Sequence, residues 1–399
     1  MSVSTGDLPA FPMSRERWFD PPKAMMQLMA EEPVSRVRLW NGQTPWLVTR
    51  YDDVKAILAS RTISSDLSRE GAPIVDPALI EFNEGILSHL DPPEHDELRR
   101  MLAPEFMVKR IERLRPAVEA IVQGRVDAML AIGPPLNLVD ALAVPVPMMV
   151  TCDLLGVPYE DRAYFASLAT SFLGGRNDPE ETARLVAEYH GYIARLIDDK
   201  VTSPTDDVIG YMASVHVANG SCSREALIVL AGLLVIAGFD TTASVISLGV
   251  LALLDNPEQM ELLRKDLDLV PSAVEELLRF LSITHRGLHR VATEDIEVGG
   301  QLIRAGEGII AAVNTANRDA AAFPDPDSLD VRRNPRHHVA LGHGIHQCLG
   351  AALARLELRV VFTAILEQFP NLHLVGDITA ADLKDEAIVY GARRVMVGW

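Results

Sequence analysis

The sequence predicts a mainly α-helical fold with a small β part, and three observations support this class. Alanine and leucine supply most of the apolar residues, and both favour helices. Aromatic residues make up only 6% of the chain, so we expect an aliphatic core. Helical periodicity dominates from residue 117 to 260, whereas strand-like segments are short. With 399 residues, the chain is long enough for one large domain or two.

The first quarter of the chain predicts strands, a loop and a basic helix. Residues 34–54 predict strands, and the Asp pair at 52–53 then favours the start of a helix. Residues 61–84 contain Gly, Pro and Ser without a clear period and predict a long loop. A basic helix is expected after Pro93, with an interruption at Pro104.

The rest of the chain predicts helices, short strands and one irregular loop. The helical stretch is broken near residues 133–135, 174–175 and 203–204. We expect short strands over 291–309, a Pro- and Asp-rich loop over 323–336, and a helix over 349–367. A single domain over 1–399 follows, with a β-rich part at about 34–50 and 291–310 plus the C-terminal segment. Its helical part covers about 92–282 and 349–367.

Charge and cysteine content exclude several classes of function. Lys and Arg number 37 and Asp and Glu 55, which gives a net charge of −18. A field of that sign disfavours nucleic acid and anionic membranes as partners. Three cysteines form no disulfide framework, and residues 1–28 show no signal-peptide pattern. We therefore expect a cytoplasmic protein.

One segment resembles a membrane-spanning helix in its length and hydropathy. Residues 226–239 are apolar and residues 241–254 are uncharged, with Asp240 between them near the centre. A carboxylate at that depth is costly in lipid, and Arg224, Asp255 and Glu258 give no positive-inside pattern. We interpret the segment as the central helix of a large α-helical protein.

The segment LGHGIHQCLG at residues 341–350 indicates a thiolate site. Gly342 and Gly344 predict backbone bends that side chains would forbid. Cys348 comes just before a helix, whose N-terminus lowers a thiol's pKa and offers N–H groups to the sulfur. A single cysteine held in this way suits one axial bond to haem iron.

Two other interpretations of Cys348 remain open at this point. Zinc is one, because His343 and His346 lie close by, although only His337 and His338 are available as further ligands and no C-x-x-C pair exists. A small buried structural cysteine is the other.

Four motifs together resemble the cytochrome P-450 family. The segment ending at Gly350 matches the haem motif F-G-x-G-x-H-x-C-x-G except at Leu341, where the family usually has Phe. Glu276 to Arg279 resembles E-x-x-R, residues 237–242 resemble A-G-x-[DE]-T-T, and residues 91–99 resemble the bacterial D-P-P-E-H-x-x-x-R. The order of the motifs is specific, and the resemblance extends from about residue 40 to 399.

This resemblance implies a triangular fold with haem b between a central distal helix and a proximal helix that follows the cysteine loop. Cys348 would be the axial ligand of the iron, and Gly350 would belong to the same cofactor-binding loop. The family positions that meet the haem propionates are His95, Arg99, Arg290 and His346. Glu276, Arg279 and Arg333 would form a structural clamp. Asp240 and Thr241 would be catalytic, Thr241 by stabilising a proton at bound oxygen and Asp240 by relaying protons.

The resemblance also outlines a mostly apolar substrate pocket. The residues expected to line it are Leu87, Leu168, Phe172, Val235, Ala237, Leu288, Ile388 and Val389. A hydrophobic small-molecule substrate follows. Electrons would come ultimately from NAD(P)H through a reductase and a ferredoxin or flavodoxin, with O2 as co-substrate. We expect a monomer.

The implied activity is a monooxygenase of secondary metabolism or xenobiotic oxidation, by hydroxylation or epoxidation. A nitric oxide reductase and a peroxygenase of the same fold are the alternatives, but both usually lack the acid-alcohol pair that Asp240 and Thr241 form here. A non-catalytic haem sensor or carrier is the non-enzyme alternative, and it would not need that pair.

Basic residues cluster over 99–115 and again around the cysteine loop. Excluding Arg99 and Arg333, they predict a positive proximal face for an acidic ferredoxin. We expect Arg100, Arg110 and Arg355 among its exposed members. A solvated helix face is the alternative, because glutamates alternate with these residues.

Overall fold

A computed structural model of the protein describes residues 8–76, 85–173 and 179–399. Side chains are described throughout these ranges except at 166, 169–173, 179 and 182–183. The helices differ widely in length, and their bounds are α1 (Lys23–Glu31), α2 (Tyr51–Ala59), α3 (Glu94–Phe106), α4 (Val108–Ile111), α5 (Arg115–Ile132), α6 (Pro145–Leu155), α7 (Arg162–Leu173), α8 (Pro179–Thr202), α9 (Val208–Tyr211), α10 (Arg224–Asp255), α11 (Pro257–Lys265), α12 (Val270–Leu281), α13 (Val313–Ala316) and α14 (Ala351–Gln368).

The strands are short and form three small sheets. Their bounds are β1 (Val34–Arg36), β2 (Trp46–Val48), β3 (Ile63–Ser64), β4 (Leu136–Asn137), β5 (Leu288–Ala292), β6 (Ile296–Val298), β7 (Gln301–Ile303), β8 (Gly308–Ala311), β9 (His373–Leu374) and β10 (Met396–Gly398). The largest sheet has the order β1-β2-β8-β5-β3, with β2 parallel to β8 and the other pairs antiparallel. β10 pairs with both β4 and β9, which joins the C-terminal segment to the helical part.

Helix α10 runs through the core, which explains why it is apolar on all sides. The Ser223 side chain caps its N-terminus by accepting a hydrogen bond from the Ala226 N–H. The helix packs against α6, α8, α12 and α14. By length and composition alone it could cross a membrane, but every residue from 242 to 253 is buried inside the fold. The predicted central helix is therefore what the structure shows.

Close contact between α10 and α14 depends on a glycine. A Cβ added at Gly249 would lie 2.6 Å from Cζ of Phe362, far inside a normal contact. Phe362 is itself buried on α14. The two helices that carry the predicted distal and proximal site residues are thus held directly against each other.

The structure confirms the mainly α class with a small β part and corrects several boundaries. Residues 34–54 form two three-residue strands, and α2 already begins at Tyr51. The interruption predicted at Pro104 is wrong, because α3 continues through it to Phe106 and the chain turns at Met107. Proline removes one backbone hydrogen bond and crowds the carbonyl four residues earlier, and α3 ends only two residues after it. No helix or strand occurs over 323–336, as predicted.

Candidate active site at Cys348

Cys348 lies in a loop whose path depends on two glycines. Gly342 and Gly344 both have a φ of +73°, which disfavours any residue with a Cβ. A Cβ at Gly344 would also lie 2.3 Å from the carbonyl oxygen of Leu58. The Cys348 N–H donates to the Leu341 carbonyl over 2.8 Å, which closes the loop. The bends predicted at the glycines are confirmed.

The loop brings the Cys348 sulfur to the N-terminal end of α14. Gly350 directly precedes that helix, and its N–H donates to the sulfur. Solvent reaches the thiol, but protein surrounds it on most sides, and this burial raises its pKa. The Gly350 N–H and the charges of Arg99 and Arg355 oppose that rise. The lowered pKa that we predicted is therefore wrong for the protein chain by itself, because burial outweighs the groups that favour the thiolate.

Imidazole and guanidinium groups converge beside this loop. The rings of His95 and His346 pack with their centroids 4.3 Å apart. Burial, reinforced by the charge of Arg290 and by other cationic neighbours, lowers the pKa of His346 to about 3. Burial likewise lowers the pKa of Arg290 to about 10. Since buried cations and donors are costly without a counter-charge, this cluster is suited to bind an anion.

Two ring nitrogens of this cluster are buried and lack a hydrogen-bond partner within the described ranges, namely His95 Nε2 and His89 Nδ1. The other nitrogen of His95, Nδ1, is 2.9 Å from Asp96 Oδ1. His89 is not among the predicted site residues. Burial and the charge of Arg290 lower its pKa to about 4. Its only sequence signal is its place just before the D-P-P-E-H motif.

Arg99 contacts the cysteine loop directly. Its Nη2 donates to the carbonyl oxygen of Gln347 over 2.6 Å. Burial lowers the pKa of Arg99, whereas the nearby Cys348 sulfur raises it. Nη2 of Arg99 thus binds the loop carbonyl, and the other N–H groups of the guanidinium can make the predicted propionate contact.

The zinc interpretation of the loop receives no support. No three His, Cys, Asp or Glu side chains converge to hold a metal in the part of the chain that the structure describes. His346 packs on His95, whereas Lys55 is the charge that acts on His343. His338 is directed to Glu275 instead of Cys348.

Asp240 and Thr241 lie on α10, and each already has a partner. Thr241 Oγ1 donates to the Ala237 carbonyl over 2.7 Å, the bond to the preceding turn that β-hydroxyl residues often make. Lys384 Nζ donates to Asp240 Oδ1 over 2.7 Å. Sequence reasoning missed Lys384, since it lies 144 residues further along the chain. The carboxylate is therefore held by a lysine of the C-terminal segment.

The predicted clamp is assembled around Glu276, which is completely buried. Arg279 donates from Nε and Nη2 to the two carboxylate oxygens, each over 2.8 Å. Arg333 Nε adds a contact of 3.1 Å, and the Asp330 N–H adds another of 3.0 Å. Arg279 also donates to the carbonyl oxygens of residues 317, 326 and 328. The clamp thus fixes the irregular loop that leads to the cysteine.

The predicted pocket residues fall into two groups. Ala237, Leu288, Ile388 and Val389 keep solvent access. Leu87, Leu168 and Val235 are at most 6% exposed and belong to the main core. Val235 lies about 200° around the helix from Ala237 and packs inward, so its described contacts give the predicted pocket position no support. The side chain of Phe172 lies outside those described.

The predicted basic face needs correction at two positions. Arg110 is only 17% exposed and pairs with Glu105 and Asp206. Arg355 is 25% exposed and binds Glu275 through two nitrogens. Nearby carboxylates thus neutralise both side chains. Arg100, Arg113 and Arg332 are exposed, so a smaller positive surface remains.

These groups fit the cofactor that the sequence predicted. Haem needs one soft axial ligand, for which the Cys348 thiol is suited, and partners for two carboxylates. The unpartnered ring nitrogens of His89 and His95 and the buried guanidinium of Arg290 have the chemistry of such partners. Fold and site together define a haem-thiolate protein.

Comparison with known proteins agrees with this class. The family model described as Cytochrome P450 matches residues 180–382. The vitamin D3 dihydroxylase of Streptomyces griseolus is 43% identical, over 99% of this chain and 98% of that protein. The pentalenic acid synthase of Streptomyces avermitilis is 44% identical, over 98% and 97%. The crystal structure of GfsF superposes with a TM-score of 0.92 at 40% identity and covers 98% of this chain and 100% of its own. The chain therefore belongs to the cytochrome P450 family.

Membership settles the class of activity and confirms the resemblance of the four motifs. The protein is an oxidoreductase, a cytochrome P450 monooxygenase with haem as its cofactor.

Proposed function

We propose that Cys348 is the axial ligand of haem b and that the protein oxidises a hydrophobic small molecule. The placement of Cys348 carries this proposal. Its sulfur accepts the Gly350 N–H, and the same site contains the buried Arg290 and two buried ring nitrogens without a hydrogen-bond partner among the described residues. A metal cation at the sulfur compensates the burial that now raises the thiol pKa.

The residues proposed to bind the haem propionates are His95, Arg99, Arg290 and His346. His89 joins them because its buried Nδ1 lacks a hydrogen-bond partner among the described residues. Bound haem supplies the chemistry that activates O2 and inserts one oxygen atom into substrate. The chain's part is to hold that group, to exclude bulk water through the apolar surface around it, and to deliver protons.

Proton delivery is assigned to two side chains of α10. Thr241 Oγ1 now donates to Ala237 and can turn its proton toward the haem face, since a hydroxyl rotates freely. Asp240 Oδ1 is held by Lys384, which leaves Oδ2 to exchange a proton with water. Both side chains keep partial access to solvent, as a relay requires.

A hydrophobic substrate is assigned because the accessible residues of the predicted pocket are apolar. These residues are Ala237, Leu288, Ile388 and Val389. Two relatives are named for vitamin D3 and pentalenic acid, which supports a hydrophobic ligand. A screen for compounds that convert the ferric haem from low to high spin identifies the substrate. Ala237→Leu should weaken the hits by adding bulk at the exposed face of α10, whereas Val235→Leu should not change their binding if haem loading is preserved.

The electron donor is assigned as a ferredoxin or flavodoxin with an NAD(P)H-dependent reductase. The exposed residues Arg100, Arg113 and Arg332 support an acidic protein as the partner. We further assign the chain to the cytoplasm as a monomer of one domain, in line with its acidic surface and sparse cysteines.

The test is the spectrum of the reduced carbon monoxide complex. The protein should bind one haem b and show the red-shifted Soret band of a thiolate ligand, and Cys348→His should lose that band and the oxygenase activity. Cys222→Ala is the matched control, because this buried cysteine lies outside the loop. An unshifted wild-type band, or zinc instead of haem, would overturn the proposal.

A further inference from the structure

A second ion network lies beside the Glu276 clamp. Glu275 is 5% exposed and accepts hydrogen bonds from Arg355, with Nε 2.6 Å from Oε1 and Nη2 2.8 Å from Oε2. His338 Nε2 lies 3.2 Å from Oε2. The Ala340 N–H donates to His338 Nδ1, so the proton of a neutral ring is on Nε2 and points at Glu275. The carboxylate is therefore bound on both oxygens.

This network connects both ends of the cysteine loop to one helix. His338 lies upstream of the loop, Arg355 lies on α14 downstream of it, and Glu275 lies on α12. Glu276, the next residue, binds Arg279 and Arg333 instead. Two adjacent carboxylates thus have separate cationic partners, and the Glu275 network can be changed without removing a member of the Glu276 clamp.

The charge of Glu275 is permanent at physiological pH. Burial alone would raise its pKa, but the hydrogen bonds from Arg355 and His338, together with the charge of Arg355, hold the pKa at about 2. Arg355 is thus opposed by a full negative charge in a bidentate pair. Arg355 nevertheless stays close to the cysteine loop, because it lies seven residues after Cys348 and its Nη1 donates to the carbonyl oxygen of Ala351 over 3.4 Å.

We propose that Glu275 is a positioning residue which sets how much of the Arg355 charge reaches the Cys348 sulfur, and thereby sets the reduction potential of the bound haem. This proposal rests on the proposed ligation of the haem by Cys348. With Glu275 present, the cation and the carboxylate largely cancel at the sulfur. Without it, a positive charge remains in a partly buried setting, where charges interact strongly. That charge withdraws donor strength from the thiolate and favours the reduced haem.

The test is a redox titration of the holoenzyme together with the carbon monoxide spectrum. Glu275→Gln keeps the shape of the side chain and removes its charge, so the midpoint potential should rise while the thiolate band persists. In the double variant Glu275→Gln with Arg355→Met both charges are gone, and the potential should return toward the wild-type value. Arg359→Met is the matched control, because it removes a cation from the same helix one turn farther from Cys348, and it should leave the potential unchanged.

A purely structural role predicts the opposite pattern. Removing a second member of the network would then disturb the loop further, and the double variant would differ from wild type at least as much as the single one. That result, or an unchanged potential in Glu275→Gln, would overturn the proposal. If Glu275→Gln fails to load haem, the double variant tests the proposal in its place. The double variant should load haem and show a midpoint potential near the wild-type value. A wild-type protein without the thiolate band would instead contradict the ligation itself.

Discussion

Removing Arg279 should destabilise the protein more than removing any other cation of the Glu276 clamp. Arg279 and Glu276 are both 0% exposed, and Arg279 makes five hydrogen bonds, two to the carboxylate and three to loop carbonyls. Arg279→Met therefore leaves a buried carboxylate with only Arg333 and one N–H, and it leaves three carbonyls without their donor. Breaking such a pair costs about 3–5 kcal/mol, and the carbonyls make the upper end of that range the better estimate.

Arg333→Met is the matched comparison. Arg333 is 15% exposed and contributes one contact to Glu276, whose two stronger contacts to Arg279 remain. It also donates to the carbonyl oxygens of residues 324, 325 and 328, but these contacts are exposed, so water can replace the lost donor. Its removal should cost about 1.5–3 kcal/mol, the value of a hydrogen bond to a charged group.

Urea unfolding at pH 7, followed by circular dichroism and by loss of the thiolate band, measures both variants. The band should be lost at lower urea than the helices in Arg279→Met, because the clamp fixes the loop before Cys348. Equal losses of stability in the two variants would refute the reasoning, since burial would then not decide the cost.

Three further predictions concern catalysis, docking and pH. Thr241→Ala should keep haem and substrate binding but divert electrons from product to hydrogen peroxide, measured as product formed per NAD(P)H consumed; full coupling would contradict its role. Arg100→Glu and Arg113→Glu should each slow the first electron from an acidic ferredoxin by up to about tenfold at low salt, whereas Arg110→Glu, already paired, should change the rate and its salt dependence less. Burial lowers the pKa of His285 to about 3 from 6.5. The unfolded chain therefore takes up the proton first, and folding stability is lost as pH falls below 6.5, by about 1.4 kcal/mol per unit. His285→Gln should flatten that slope in urea titrations at pH 4.5 to 7, and an unchanged slope would mean that His285 titrates normally in the folded protein.

The local parts of the fold and site were predictable from the sequence because each has a local physical cause. The glycines at 342 and 344 are required by a φ of +73°, and the apolar run of α10 is required by its passage through the core. The long-range pairs were not predictable. Glu275 lies 80 residues before Arg355, so Arg355 was interpreted as an exposed docking charge. The two pocket residues predicted on α10, Val235 and Ala237, lie on different sides of the helix, since a helix turns neighbouring residues in different directions.

The same helical geometry explains how α12 serves two networks. Consecutive residues of an α-helix are rotated by about 100°, so Glu275 and Glu276 leave the helix in different directions. Glu276 meets the irregular loop through Arg333, and Glu275 meets the proximal helix through Arg355. Since both carboxylates are buried, each is stable only with its own cations. One short helix can thus anchor the loop before Cys348 through one glutamate and act on the field at the sulfur through its neighbour.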